Sequence, residues 1–323
     1  MKNPLQQAVS PLHALLRAVR RPSARKRLAA LQRDVGRLLR IDPVFVARDA
    51  HAFHAGASRV QPAPWLAGYE QKLEAQGGRI HLQRFCLCCN ETTPMLVDME
   101  SSWQGRDGAR VLNWRERLIC DQCGMNNRQR LVAKLVQQAA AEHERARIYL
   151  TEQVTPIFQW VRRLPATDVH GSEYLGDQHR GGDVMDGVRH EDAMNLSYPD
   201  ASFDLIVSND VLEHIPDPAK ALRECSRVLR PGGVVLATFP FQTGSEATVV
   251  RATLGAGGLK HLLPAQFHGN PVSAEGSLVF QDFGWDLLAT MRQAGFSDAA
   301  CEVYMNDAFG HLGVPLLVFR LRK

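Results

Sequence analysis

The sequence predicts an α/β protein built on a doubly wound, mostly parallel seven-stranded sheet, preceded by a helical N-terminal arm and a small zinc-binding module. Three observations predict this. Residues 145–323 alternate β-like runs with helical stretches, which is typical of βαβ units. Residues 80–130 are polar and contain two CxxC pairs, and residues 1–79 are mostly helical in pattern and basic. We therefore expect three domains, covering 1–79, 80–130 and 131–323.

The composition is that of an ordinary globular protein. Of 323 residues, 45% are hydrophobic and 22% are charged, which excludes wholesale disorder. No apolar run approaches the roughly 18 residues of a membrane span, and polar residues interrupt the first 20 positions, where a signal peptide needs an unbroken apolar stretch. Seven cysteines, an odd number, favour free thiols or metal ligands over a disulfide framework. We expect a cytoplasmic protein without a transmembrane segment.

The N-terminal arm concentrates positive charge. Residues 1–50 carry eleven Lys or Arg and three acids, a balance of +8, so the remaining residues sum to −4. Apolar side chains recur at helical spacing between arginines over residues 27–40, which predicts a basic amphipathic helix. This helix either touches an anionic surface or packs its apolar stripe on the rest of the protein. The second interpretation is preferred, because a run of charge alone is weak evidence of a partner.

The cysteine pairs predict a metal site. Cys86 and Cys89 form one CxxC pair, and Cys120 and Cys123 form another. Two such turns brought together offer four thiolates to one tetrahedral zinc ion, and Gly124 suits a turn that needs positive φ. With four protein ligands the ion has no open position, so it is predicted to be structural. The alternative is a redox or incidental set of thiols, and no thioredoxin-like strand precedes either pair.

Seven β-like runs and three helical stretches follow the cysteine pairs. The predicted strands are 147–151, 168–173, 188–192, 203–208, 234–239, 301–305 and 314–321. The predicted helices are 156–164, 218–229 and 285–294, the first opened by Pro156 and the second by Asp217 as N-cap. Residues 242–279 form the longest insertion, and their glycines predict a mobile substrate lid.

Polar side chains follow four successive predicted strands. Thr151 and Glu152 end the first strand, Glu173 the second and Asp192 the third, and the run 208–210 ends the fourth. Ligands of open parallel sheets bind at the carboxyl ends of the strands. A carboxylate after the second strand suits the two hydroxyls of a ribose, and one after the third can accept from the adenine amine. With no Walker loop nearby, the ligand implied is an adenosine compound without phosphates.

Three segments of this region carry a family resemblance. Residues 191–204 (EDAMNLSYPDASFD), 205–215 (LIVSNDVLEHI) and 229–233 (LRPGG) resemble the third-strand, fourth-strand and fifth-strand motifs of class I S-adenosylmethionine-dependent methyltransferases. The resemblance covers roughly residues 145–323 and implies a Rossmann-like methyltransferase fold. Residues 171–176 and 267–271 are similar to features of a zinc-bearing branch associated with surface-glycan biosynthesis.

The resemblance implies S-adenosylmethionine as cofactor and assigns residues to it. Glu173 would bind the ribose hydroxyls, Asp192 would accept from the adenine amine, and Ala193 would offer backbone. Ser208 and Asn209 would line the methionine side. The alternatives that need no ligand are a helix N-cap for Glu173 and a turn-forming role for Asp192.

One segment departs from the family pattern. The first strand of the family normally leads into a glycine-rich loop, whereas residues 150–156 read LTEQVTP. Side chains with Cβ narrow the approach of a cofactor to the backbone. Thr151 and Glu152 are still assigned to the cofactor, with Glu152 meeting its ammonium group. The missing glycine also leaves open a non-catalytic interaction protein that kept the fold.

Three residues are candidate general bases for a hydroxyl acceptor: His268 in the insertion, and His214 and Asp210 just beyond the fourth strand. For His214 a structural role against the sheet edge is preferred. The first functional hypothesis is methyl transfer to a small molecule or glycan precursor. The second is an RNA methyltransferase, because residues 80–130 contain aromatic and basic side chains. These are Trp103, Trp114, Arg115, Arg117, Arg128 and Arg130.

Overall fold

The computed structural model describes residues 39–66, 68–105, 108 and 110–323. Nearly all of the predicted basic helix lies outside these residues. Residues from Asp42 to Lys323 form one compact unit, which is described here by itself. Among the residues that the structure describes, no helix is both long and apolar enough to cross a membrane.

The bounds of the elements are given once, in chain order. The strands of the described residues are β1 (Phe45–Ala47), β2 (Arg79–Cys86), β3 (Glu91–Asp98), β4 (Trp103–Gln104), β5 (Arg110–Val111), β6 (Ile119–Cys120), β7 (Ala146–Leu150), β8 (Thr167–Gly171), β9 (Val184–Met185), β10 (Val188–Arg189), β11 (Phe203–Asn209), β12 (Leu229–Thr238), β13 (Val249–Val250), β14 (Ala252–Gly255), β15 (Gly258–His261), β16 (Phe267–Asn270), β17 (Ser273–Leu278), β18 (Gln281–Asp282), β19 (Asp298–Asn306) and β20 (His311–Arg322). The α-helices are α1 (Ala50–Gly56), α2 (Tyr69–Ala75), α3 (Asn127–Ala140), α4 (Pro156–Val161), α5 (Pro218–Val228) and α6 (Leu287–Gln293).

The central sheet has seven strands, as predicted, in the order β1-β19-β20-β12-β11-β7-β8. It is mixed, with three parallel and three antiparallel pairings, so the predicted parallel arrangement is confirmed only for one side of the sheet. Strands β8, β7, β11 and β12 run parallel, whereas β20, β19 and β1 add three antiparallel pairings. Strands β19 and β20 pair antiparallel because only a short connection joins them, and a parallel pair needs a crossover of a dozen or more residues.

Two strands of the sheet differ from the prediction. The predicted third strand, 188–192, contributes only the two-residue β10, which pairs with β9 in a hairpin outside the sheet. A single parallel bridge between Glu173 and His190 is its link to β8. The seventh strand is instead β1, from the segment predicted to be mostly helical, and it pairs with β19. A three-residue strand is too short to show a period in the sequence, and only its pairing partner defines it.

Helices cover both faces of the sheet. Tyr149, Ile206 and Val235 share one buried cluster with Leu222 of α5 and Leu288 of α6. Their neighbours along each strand point to the opposite face, where α3 contacts β11 and β20 and packs on α4. The carboxyl ends of β7, β8, β11 and β12 lie together at one edge of the sheet.

The predicted helix starts at residues 156 and 218 are confirmed. Thr155 caps α4 by accepting from the backbone N–H of Phe158, with Pro156 in the first turn. The carboxylate of Asp217 caps α5 by accepting from the N–H of Lys220. The insertion 242–279 folds mainly into two β-hairpins, β14–β15 and β16–β17, and its mobility stays a prediction.

The cysteine-bearing segment forms a three-stranded sheet in the order β2-β3-β6. Its core extends beyond residues 80–130, because Tyr69 and Leu73 of α2 and Leu312 of β20 belong to the same buried cluster as Trp114. The cysteine segment therefore shares apolar packing with the end of the central sheet.

Gly313 is the tightest point of this packing, and it gives a first testable prediction. Its φ is +84°, and an added Cβ would overlap the indole of Trp114. We expect Gly313→Ala to lower the free energy of unfolding by about 2–4 kcal/mol, from the left-handed backbone and the forced overlap. Urea denaturation measures this. Gly257→Ala is the control, since a Cβ there meets open space; equal stability of the two variants would contradict the packing.

Candidate functional site

The register of the parallel strands brings their polar carboxyl ends to one edge. Leu150 pairs with both Gly171 and Val207, and Asn209 pairs with Thr238, so β7, β8, β11 and β12 end nearly level. The residues that directly follow these strands therefore share this edge. They include the predicted site residues Thr151, Glu152, Glu173 and Asp210, and Ser208 and Asn209 close β11.

Glu173 is buried at this edge, with 8% of its surface exposed. Its Oε1 accepts the backbone N–H groups of Gln153 (2.7 Å) and Val154 (3.0 Å). Its Oε2 accepts no hydrogen bond from the described residues. Burial raises the pKa of Glu173, and the two backbone donors oppose that rise. One carboxylate oxygen thus holds the loop after β7, and the other is left for a ligand.

The loop without glycine is held by its own side chains. The Gln153 side chain donates to the carbonyl of Gly187 (2.8 Å) and accepts the backbone N–H of Arg189 (2.9 Å). The loop is therefore tied to the β9–β10 hairpin as well as to Glu173. The sequence analysis did not single out Gln153, and nothing in a lone glutamine indicates this role.

Asp192 lies beside Glu173 along the same edge. The Glu173 N–H donates to the carbonyl of Arg189 (2.8 Å), and the Glu191 N–H donates to the carbonyl of Glu173 (3.1 Å), which carries the chain past Glu173 to Asp192. Oδ1 of Asp192 accepts the backbone N–H of Met194 at 2.8 Å. That bond is the turn-forming role weighed above. It engages one oxygen of a half-buried carboxylate, and Ala193 follows in the turn.

A hydrogen-bonded chain joins the ends of β7, β11 and β12. Asn209 donates through Nδ2 to Oε1 of Glu152 at 2.6 Å, and Thr238 donates through Oγ1 to Oδ1 of Asn209 at 3.1 Å. Burial raises the pKa of Glu152, against the hydrogen bond from Asn209. A buried carboxylate fixed in this way presents negative character where a cationic ligand group can reach it.

Asp210 lies in an ion-paired cluster at the same edge, with φ at 51°. Arg115 contacts both of its oxygens, at 2.7 Å for Oδ2, and Arg128 lies 3.2 Å from Oδ2. Burial alone raises the pKa of Asp210, but the charges of Arg115 and Arg128 hold it far below its usual value. A carboxylate of this kind is a poor proton acceptor, so the two histidines suit the role of general base better.

The arginines that kept an RNA interface open are engaged inside the protein. Arg115 and Arg128 pair with Asp210 and Glu116, and Arg117 pairs with Asp98. Arg130 is buried and donates to the carbonyls of Phe309 and Gly310. Trp114 is buried as well, whereas Trp103 is 48% exposed. The sequence analysis did not predict that Arg115 and Arg128 contact the sheet edge, because a charged residue in a sequence does not show which residue it pairs with.

The Asp210 cluster predicts a pH-dependent stability. We expect Asp210→Asn to lower the free energy of unfolding by about 2–3 kcal/mol at pH 7, because Arg115 and Arg128 lose their charged partner. Since the folded pKa is depressed, this contribution is complete above the unfolded pKa of about 3.9 and is lost as pH falls below it. Denaturation at pH 7 and pH 3 measures it.

A matched control separates this effect from the loss of any ion pair. Asp298 pairs with Arg48 at the surface, both side chains being well exposed. Asp298→Asn should therefore cost less than about 1 kcal/mol. If Asp210→Asn costs no more than Asp298→Asn, the cluster is not a stabilising link.

His214 and His268 meet around Glu213, a residue the sequence analysis left unassigned. His214 is in the 3₁₀ turn Leu212–His214, and His268 is in β16 of the insertion. The Nε2 of His214 lies 3.7 Å, and the Nδ1 of His268 3.6 Å, from Oε1 of Glu213. The two imidazole rings are 5.0 Å apart at their centroids. The Glu-His dipeptide with a further histidine downstream was the available signal.

The four predicted zinc ligands converge. The Sγ atoms of Cys86 and Cys123 are 4.0 Å apart, those of Cys89 and Cys120 are 3.8 Å apart, and all four lie within 4.8 Å of one another. A tetrahedral site with Zn–S bonds of about 2.3 Å has sulfurs roughly 3.8 Å apart, so the donor set fits zinc.

The two cysteine turns have matching backbones. The residues that follow the pairs, Asn90 and Gly124, both have positive φ, 59° and 70°. This agrees with the turn predicted at Gly124. Cys88 is not part of the group of four converging sulfurs, and its thiol donates to the carbonyl of Arg130 at 3.3 Å.

A surface groove also lies at the opposite, amino-terminal end of the strands. It is lined by His143, Glu144, Arg145, Ala166, Asp204 and Arg230. None of the predicted site residues lines this groove, so the carboxyl edge of the sheet remains the candidate ligand site.

The fold and this edge define a class, an α/β domain with carboxylates at the strand ends that suit an adenosine-type ligand. Residues 159–237 match a protein family described as "Methyltransferase domain". The match contains Glu173, Asp192, Asn209 and Glu213, and it ends before the insertion. This part of the chain is therefore similar to that family.

Relatives agree with that class. A probable S-adenosylmethionine-dependent methyltransferase of Mycolicibacterium smegmatis is 49% identical over 53 residues, 16% of this chain and 21% of that protein. A 27-O-demethylrifamycin SV methyltransferase of Amycolatopsis mediterranei is 44% identical over 85 residues, 24% of this chain and 31% of that protein. The chain thus aligns with less than a third of either relative.

A solved structure described as an S-adenosylmethionine-dependent methyltransferase from Mesorhizobium loti is also similar. It covers 59% of this chain and 98% of its own, at 20% identity and a TM-score of 0.37. A similarity at this level carries no argument about activity.

Proposed function

We propose that the protein is an S-adenosylmethionine-dependent methyltransferase that acts on a small-molecule acceptor. The observation that carries the proposal is the carboxylate-bearing edge of the parallel strands, of which Glu173 and Asp192 lie inside the segment that matches a methyltransferase domain. When bound, S-adenosylmethionine supplies an electrophilic methyl group on sulfur, and its transfer leaves S-adenosylhomocysteine.

The edge residues suit the parts of that donor. The free Oε2 of Glu173 accepts from the ribose hydroxyls, and the second oxygen of Asp192 accepts from the adenine amine, with the backbone of Ala193 beside it. Glu152, held by Asn209, receives the ammonium group. Thr151 and Ser208 complete the methionine side. Both buried glutamates pair their remaining polar atoms through this ligand, which offsets the cost of burying them.

The general base of a hydroxyl acceptor is one of the two histidines. His268 is in the insertion, where an acceptor would enter, and His214 is held by the carbonyl of Leu278 in β17. Asp210 is engaged with its two arginines and serves to anchor the cysteine segment.

A small molecule is favoured over RNA as acceptor, because the arginines of 80–130 make internal contacts. The printed substrate of the rifamycin relative is also a small molecule. A glycan precursor is the narrower class that the sequence resemblance suggests. We therefore expect that the protein retains no RNA at low or at high salt. A protein that contacts RNA phosphates would retain RNA at low salt and lose it steeply as the salt concentration rises.

Four parts of the proposal rest mainly on the sequence. The four-cysteine site holds one structural zinc ion, and the chain divides into domains at 1–79, 80–130 and 131–323. The protein is cytoplasmic, in keeping with its free cysteines. The basic N-terminal helix packs on the protein or touches an anionic surface.

Calorimetric titration with S-adenosylmethionine tests the function. We expect binding of one donor per chain, and a loss of affinity of about tenfold in Asp192→Ala, the value of one hydrogen bond of roughly 1.4 kcal/mol. Asp200→Ala is the control, because Asp200 lies exposed in the same segment and pairs only with Arg227. Absence of donor binding by the folded wild-type protein would leave the non-catalytic alternative.

A further inference from the structure

The side chain of Glu213 is unusual among buried carboxylates. Its carboxylate is 1% exposed, and neither oxygen has a hydrogen-bond partner among the described residues. An ionised carboxylate that leaves water without a partner is strongly destabilised. The described residues therefore leave this carboxylate without the partner that a buried charge needs.

The two histidines do not meet this requirement by hydrogen bonding. Their ring nitrogens lie 3.6 and 3.7 Å from Oε1 of Glu213, beyond the usual 2.7–3.2 Å of an N–H···O bond. The nitrogens and the carboxylate oxygen nevertheless point at one another, all within 4.8 Å. Because these three atoms lie farther apart than hydrogen-bonded atoms, there is room for an ion between them.

The tautomer of His214 suits a metal ligand. Its Nδ1 is 2.8 Å from the carbonyl of Leu278, so Nδ1 carries the hydrogen and donates it. The lone pair of Nε2 then faces Glu213. Histidines that bind metals usually donate their other N–H to a carbonyl or carboxylate in this way. The side-chain amide of Gln266 lies 3.3 Å from Nε2 of His268. With the amide oxygen facing the ring, it accepts the Nε2–H of His268 and leaves the lone pair of Nδ1 for a metal.

We propose that Glu213, His214 and His268 bind one divalent transition-metal ion. Two imidazoles and one carboxylate suit Mn²⁺, Fe²⁺, Co²⁺ or Zn²⁺, whereas Mg²⁺ prefers oxygen ligands only. Ligand bonds of about 2.0–2.2 Å place ligand atoms roughly 3–3.6 Å apart, so a small contraction closes the site.

The position of this site gives it a role that rests on the proposed function. Glu213 and His214 follow the end of β11, directly after the residues assigned to the methionine side, and His268 comes from the insertion. Three protein ligands leave the ion with open positions for an acceptor oxygen. The acceptor class is therefore one with a hydroxyl or an adjacent pair of oxygens. When the ion is bound, it would activate that oxygen in place of the histidine base.

Metal titration of full-length protein tests the site. The protein is dialysed under conditions that leave the ion of the four cysteines in place, and Mn²⁺ is the probe, because thiolates select softer ions and the four cysteines compete little for it. We expect one Mn²⁺ per chain by electron paramagnetic resonance, weakened at least tenfold in both Glu213→Gln and His268→Ala. His261→Ala and Glu275→Gln, exposed residues of the same insertion, should bind as the wild type does.

The outcomes separate this inference from the proposed function. No saturable Mn²⁺ binding, or unchanged binding in both folded variants, overturns the metal site, whatever the donor titration shows. Stoichiometric Mn²⁺ binding without S-adenosylmethionine binding supports the metal site and contradicts the methyltransferase. His268→Ala keeps the test decisive if Glu213→Gln fails to fold, because His268 lies on a hairpin and is part-exposed.

Discussion

Replacement of Cys120 by serine is expected to release the ion held by the four cysteines and to unfold the segment around them. Structural zinc contributes about 10–16 kcal/mol of apparent binding free energy in small zinc domains, and most of that is folding free energy. Cys120 is fully buried in the same cluster as Met95 and Trp114, so the loss exposes the apolar core of that segment.

The effect should reach the sheet edge. Arg115 and Arg128 hold Asp210 from this part of the chain, and Asp210 follows the strand that carries Asn209. We therefore expect Cys120→Ser to weaken S-adenosylmethionine binding as well as to lower the melting temperature. Metal analysis, calorimetric titration and thermal denaturation measure the three effects.

Cys88→Ser is the matched control for this variant. Its sulfur is not one of the four that converge, and it donates to the carbonyl of Arg130, a bond that a serine hydroxyl can retain. It should keep its zinc and its melting temperature. If Cys120→Ser also keeps both, the four sulfurs do not bind a structural ion.

The second large effect is expected at Glu173. Glu173→Ala removes the carboxylate assigned to the ribose and frees the backbone N–H groups of Gln153 and Val154. We expect donor affinity to fall about 100-fold, which is roughly 2.7 kcal/mol, since hydrogen bonds to charged groups contribute about 1.5–3 kcal/mol each. Calorimetric titration gives the affinity. Hydrogen exchange should show faster exchange of those two amides.

Two further variants decide what the carboxylate does. Glu173→Gln keeps an oxygen for the loop, so it should restore slow exchange while donor affinity stays low. Glu275→Ala, on the exposed hairpin, should change neither quantity. Slow amide exchange and full affinity in Glu173→Ala would show that this residue neither holds the loop nor contacts the donor.

Local signals in the sequence accounted for much of the fold. The helix starts at Pro156 and Pro218 were predictable, because capping depends on residues within one turn. The strands β7, β8, β11, β12, β19 and β20 were predictable as β-like runs. Strand β1 and the antiparallel half of the sheet were not, because pairing is decided by residues far away in the chain, such as Phe45 with Val303.

In the candidate site, too, some features could be predicted from the sequence and others could not. The residues at the strand ends and the four cysteines followed from motif and spacing, which a single stretch of chain contains. The sequence could not show that Arg115 and Arg128 pair with Asp210, or that Glu213 lies unpaired between two histidines 54 positions apart. Contacts of this kind depend on burial and on distance through space, which only the assembled sheet and its insertion establish.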